Sequence, residues 1–206
     1  RAWSVISHLN GVMNSDDLRK VYKNCLEKLT EYSTELSQNA ELCEAYKKLA
    51  ASDQYNELSE AQRKSVDNTL RDFHLGGVDL PQEKKEQYAN LSMELSELSN
   101  RFSDNVLDAT QHWFKHITDV EELAGVPESA LDGAKQAAQQ KDLDGYVITL
   151  DFPSFYPVMT YGDNRDLRRE VYEAFVTRAS DMGPDAGTWD NTPVMAEILK
   201  RRHALA

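Results

Sequence analysis

From Leu91 the chain sets an apolar side chain at every third or fourth position: Leu91, Leu95, Leu98, Phe102, Val106, Ala109, Trp113, Ile117 and Val120. A spacing that close to 3.6 residues, with no Gly or Pro inside it, commits the segment to one amphipathic helix. It is the longest helix the sequence predicts. Pro81 marks its start, a first-turn position that tolerates a missing donor, and Gly125-Val-Pro127 breaks it. The same period governs what comes before. Trp3, Val5, Ile6 and Leu9 form an apolar segment closed by the Asn10-Gly11 turn signal. Ser15-Asp-Asp17 supplies an N-cap and acidic first turn to a helix whose buried stripe reads Leu18, Tyr22, Cys25, Leu29, Tyr32 and Leu36. A second helix spans about 40 to 51, with Leu42, Tyr46 and Leu49 inward. Ser59 and Gln62 form a capping box for a third, which Gly76-Gly77 ends.

One stretch leaves the helical pattern. Tyr146-Val-Ile-Thr-Leu150 is aromatic and β-branched, Pro153 and Pro157 bracket a corner, and Val158-Met-Thr-Tyr161 follows. That composition predicts a β-hairpin over about 146 to 161, with 146 to 151 paired antiparallel to 157 to 161. Asn164 then caps a helix from Arg165 to Ser180, and Thr192-Pro193 opens a final one after a Gly-containing loop. The fold class is therefore mainly α: stacked helices with one small β-hairpin. Residues 1 to 206 show no repeat of fixed period and no low-complexity linker, so no internal domain boundary is drawn.

Composition excludes several classes. With 40% hydrophobic and 28% charged residues the chain can bury a core and does not resemble a disordered one. It contains no apolar run of membrane length and no signal-peptide pattern. A net charge of −12 makes nucleic acid and anionic membrane poor partners. Cys25 and Cys43 each sit in a helical pattern and suggest neither a disulfide framework nor metal spacing, which fits a cytoplasmic setting. Arg1 is not an initiator Met, and Ala206 lies within an amphipathic pattern that has no Gly cap or Pro stop. The sequence therefore reads as a piece of a longer polypeptide whose open helix faces favour self-association.

Two groups of residues invite a functional reading. His112 and His116 stand at i and i+4 on the predicted long helix, a spacing that suits zinc. Trp113 occupies the place where a zinc peptidase needs a general-base Glu, however, and no third ligand is identifiable, so the pair reads as a decoy. The other histidines, His8, His74 and His203, are likewise not followed by Glu. No catalytic, cofactor-binding or metal-ligating residue is assigned. Arg178 falls on the apolar arc of Leu167, Val171, Ala174 and Phe175 and needs a partner there. An acidic side chain or helix-terminal carbonyls give it a structural role, which is preferred over an anchor for a peptide carboxylate.

Longer strings carry a resemblance. Ile148-Thr-Leu150 with Pro153, Pro157-Val-Met-Thr160, Asn164-Arg165, Leu167-Arg168 and Thr177-Arg-Ala-Ser-Asp181 resemble the thimet oligopeptidase and oligopeptidase A family of zinc metallopeptidases. So do Asn105-Val-Leu-Asp-Ala-Thr110, Gly183-Pro184 and Trp189-Asp-Asn191. That family's His-Glu-x-x-His motif does not occur here. The resemblance implies an N-terminal portion of a cytoplasmic zinc enzyme that hydrolyses internal bonds of short peptides. Zinc and its general-base Glu would lie elsewhere in the full-length protein, and this chain would supply channel wall without chemistry. The resemblance also favours reading the hairpin as inner strands of a sheet whose edge, contributed by the rest of the protein, binds an extended peptide, over a small sheet that plugs one end of the helical stack. The competing reading is a stand-alone helical interaction module.

Overall fold

The computed structural model describes residues 2–205, which form ten α-helices and one two-stranded antiparallel sheet. In chain order these are α1 (Ala2–Val12), α2 (Asp16–Ser37), α3 (Ala40–Ala50), α4 (Asp53–Glu57), α5 (Glu60–Leu75), α6 (Gln82–His112) and β1 (Phe114–Ile117). After a 3-10 turn at Val120–Leu123 come α7 (Glu128–Gln139), β2 (Tyr146–Thr149), α8 (Phe152–Tyr161), α9 (Arg165–Thr177) and α10 (Thr192–Leu205). The chain is thus mainly α with one small sheet. It divides into two compact units: one runs to Asn100 and takes in the residues from Ile198 on, and the other is Arg101–Glu197.

In the first unit the helices begin where side chains satisfy their open N–H groups. Leu18 N donates to Ser15 Oγ (3.2 Å) and Leu42 N to Asn39 Oδ1 (2.9 Å). Ser59 and Gln62 make the reciprocal capping box, at 2.9 and 3.3 Å. Gly76 caps the C-terminus of α5, and Gly77 follows with φ 84°. The core here is small. Cys43, Phe73 and Val78 are buried, with Leu42, Tyr46 and Leu70 packed against them. Thr30 Oγ1 donates to Ser96 Oγ at 2.9 Å, joining α2 to α6, and Trp3 stacks on Tyr22 at 4.7 Å. Both cysteines are free thiols, Cys25 exposed and Cys43 buried.

Two expectations for this unit are corrected. The helix of α1 continues through Asn10-Gly11 to Val12, because a single Gly in a last turn costs only about 1 kcal/mol. Helix α2 forms as expected, yet none of its residues is buried, and Tyr32 and Leu36 are exposed. Periodicity reports which side chains share a face, not whether another element covers that face.

The second unit is built on the sheet. Strand β2 is where the β-branched run places it, but its partner is β1, with Phe114 opposite Thr149 and Ile117 opposite Tyr146. The expected second strand, 157 to 161, is instead part of helix α8. Phe152, Phe155, Tyr156 and Met159 recur at i, i+3, i+4 and i+7, a helical pattern that outweighs the two prolines. Pro153 sits in the first turn, where no donor is needed, and Pro157 gives up one backbone bond inside the helix. The long helix also ends earlier than its apolar spacing suggests. A step of four residues is even, so Trp113 and Ile117 can share a face of a helix or of a strand; in β1 Phe114 and His116 point out while Ile117 is buried. Around the sheet, Ile117, Leu123, Val126, Ala134, Ile148, Val158, Leu167 and Val171 form one buried cluster. Helix α9 stops at Thr177, short of Ser180, because Arg178 turns to ψ 143° and Ala179 then takes φ 54°.

Gly145 enters β2 with φ 85°, and a Cβ there would strike the carbonyl of Ile117. Replacing Gly145 with Ala should therefore lower stability by about 1–3 kcal/mol through backbone strain. Gly133→Ala is the control. It lies inside α7 with nothing within 4 Å of the added methyl, so it should stabilise by about 0.5–1 kcal/mol. Thermal unfolding of both variants checks the pair, and equal effects would contradict the assigned backbone.

Candidate functional site

Arg178 lies one residue beyond the end of α9, not on its inward arc. It caps the helix with extended geometry, φ −59° and ψ 143°. Its guanidinium rests on the Phe175 ring, 3.9 Å from the centroid, and Phe175 in turn stacks on Phe155 with centroids 3.9 Å apart. Nη1 donates to the Phe175 carbonyl, one of the acceptors a helix C-terminus leaves open. The carbonyl arm of the sequence expectation thus holds, while the position on the arc does not. Burial pushes the guanidinium's pKa down from its ordinary value, and the group stays charged because that value is so high. Nε is buried without a hydrogen-bond partner.

The two histidines do not form a pair. His112 is the last residue of α6 and packs its ring against Trp189 at 4.9 Å. His116 lies on β1, where Nε2 donates to the Asp144 carbonyl at 2.6 Å. A carbonyl only accepts, so this bond commits Nε2 to carrying a proton. The helix break at Trp113 removes the i, i+4 geometry on which the zinc spacing depended. Among the described residues no group of three or more His, Cys, Asp or Glu side chains is placed to hold a metal ion. The residues present do not fit a zinc centre, which needs three protein ligands and an open fourth position.

What the sequence reading did not single out is Asn191. It is 3% exposed, and each of its four polar heavy atoms makes a hydrogen bond. Its N–H donates to the Ala179 carbonyl (3.0 Å), and its carbonyl accepts from Met195 N (2.8 Å). Its side-chain Nδ2 donates to the Phe102 carbonyl (3.1 Å), while Oδ1 accepts from Asn105 Nδ2 (2.9 Å). One buried amide thus ties the second half of α6 to the 178–191 loop and the first turn of α10. Asn105 and Asn191 belong to two separate strings that carried the family resemblance, but nothing in the sequence says that they meet.

Two substitutions separate these roles. Asn191→Ala leaves the Asn105 amide without its partner and removes a second bond from the Phe102 carbonyl, which keeps its helical donor, and should cost about 1–3 kcal/mol. Arg178→Ala removes one carbonyl bond and one cation–ring contact but breaks no ion pair, so about 1–2 kcal/mol is expected. Chemical denaturation measures both. A larger loss for Arg178→Ala would point to a carboxylate partner.

The chain has clear relatives among known proteins. Residues 1–85 match the family model for the Neurolysin/Thimet oligopeptidase N-terminal domain. Over all 206 residues the chain is 56% identical to Oligopeptidase A of Salmonella typhimurium and 55% identical to Oligopeptidase A of Escherichia coli. It is 38% identical, over 97% of its length, to the probable cytosolic oligopeptidase A of Arabidopsis thaliana. The chain spans about 30% of the length of these relatives. On that identity, sustained across its whole length, the chain belongs to the thimet oligopeptidase and oligopeptidase A family.

Proposed function

We propose that this chain is a non-catalytic wall and scaffold section of a zinc-dependent oligopeptidase, a cytoplasmic enzyme that cleaves internal bonds of short peptides. The observation that carries the reading is 56% identity over the full chain to a protein named Oligopeptidase A. The residues described here hold α-helices and buried amides in place and offer no ligand set that suits zinc. In this reading the metal and the general base belong to other parts of the full-length protein. A membrane-embedded role finds no support in the helices, none of which is long and apolar enough, among the described residues, to cross a bilayer.

Two measurements test this. Calorimetric titration of the chain with zinc should show no tight stoichiometric site, and a quenched fluorescent peptide should stay intact, whereas the full-length protein should cleave it and lose that activity to a chelator. Tight one-to-one binding by this chain, with cleavage abolished by His112→Ala, would overturn the reading. Val5 and Val12 on α1, Met13 just after it and Val21 on α2 leave apolar surface open. The chain produced alone should consequently self-associate, and light scattering showing a monomer at high concentration would contradict that.

A further inference from the structure

Helix α9 has two unlike faces. Leu167, Val171 and Ala174 are buried in the unit's core. Facing outward, Arg165, Arg168, Arg169 and Tyr172 line a surface depression of about 680 Å³ together with Asp166 and Met159 from α8. Three guanidinium groups thus occupy the first two turns of a helix, the end whose dipole disfavours cations by roughly 0.3–1 kcal/mol each. The structure does little to offset this. Asp166 is the one carboxylate in the depression, and the next on the helix, Glu170, is engaged by Lys115 at 2.9 Å. Arg168 Nε is buried with no hydrogen-bond partner.

The basic depression is continuous with apolar surface. Tyr172 and Val176 extend it along α9, 54% and 53% exposed. On α8, Phe152 and Tyr156 stack on each other at 5.1 Å and lie on the same face as Met159, at helical steps of four and three. Phe152 is 66% exposed. Arg, Tyr, Phe and Met at the centre of a patch, with Lys and Glu at its margin, is the composition of protein interaction surfaces and their energetic centres.

We propose that this α8–α9 face is a docking site for an acidic segment of a separate polypeptide, one whose carboxylates alternate with large apolar side chains. Guanidinium groups take carboxylates in a two-point fork, and the aromatic stripe takes the residues between them. Charge complementarity selects this occupant over an extended polyanion. A membrane or nucleic acid would bring a large negative surface against a chain of net charge −12, whereas a short acidic segment meets only the local positive patch. The site stands on its own chemistry and does not depend on the parent being a peptidase.

The test is fluorescence anisotropy on the full-length protein, with a chelator present, using a labelled peptide of Glu, Leu and Phe and its Gln counterpart. The Glu peptide should bind, weaken as salt rises and exceed the Gln peptide by at least about tenfold. Arg165→Glu with Arg169→Glu, two exposed positions that leave the core intact, should remove at least about tenfold of the affinity. Lys135→Ala, on α7 and outside the depression, should leave it unchanged. The proposal is overturned if the Glu peptide fails to bind, if the Gln peptide binds as tightly, or if the double variant binds equally well with an unaltered circular dichroism spectrum. Preferential binding to phosphatidylserine vesicles would overturn it too. Because binding and not cleavage is read, a failure here is separate from a failure of the peptidase reading.

Discussion

Two strands of four residues each, Phe114–Ile117 and Tyr146–Thr149, hold the second unit's organisation. So few ladder bonds are marginal in water without other cover. The sheet persists because both its faces are used: Val147 and Ile148 are adjacent in sequence, point to opposite sides and are both buried. Helices α7, α8 and α9 contribute Ala134, Val158, Leu167 and Val171 to the cluster around Ile117 and Ile148. The dependence runs in both directions. Those helices have no other large core in the unit, and the sheet has no other reason to be stable. Gly145 is the hinge of the arrangement, since only a residue without a side chain can pass so close to the Ile117 carbonyl.

Local chemistry with a fixed stoichiometry was legible in the sequence. Ser15, Ser59, Asn164 and Gly76 mark helix ends because a cap is settled by a few neighbouring atoms. Strand β2 was legible from its β-branched residues, whereas its partner was not. Pairing between residues 114 and 149 is a long-range choice, and the evenly spaced Trp113 and Ile117 satisfied the helical period as well as the extended one. The prolines misled at α8 because each is costly in a helix interior, while the structure places one of them where the cost vanishes. At the candidate site, the carbonyl partner of Arg178 followed from its nearness to a helix end. The four bonds of Asn191 could not be anticipated, since they gather groups from residues 102 to 195.

The second unit divides its side chains sharply. Its aliphatic residues are spent inward, and its arginines and many of its aromatics are left outward on α8 and α9. Helix α9 shows the division within thirteen residues, with one stripe anchoring the sheet and the opposite stripe carrying three arginines around the single carboxylate of Asp166. The helix dipole favours a carboxylate in that first turn, and Asp166 stands there beside Arg165.

The first unit carries its own clock. Cys25 is exposed and Cys43 is buried beside Phe73 and Val78, and both are free thiols. An alkylating reagent meets Cys25 at once and Cys43 only when the small core opens. The ratio of the two labelling rates within one molecule therefore reports the free energy of local opening. The reference thiol is built in, so the reading is independent of reagent concentration and requires no mutation.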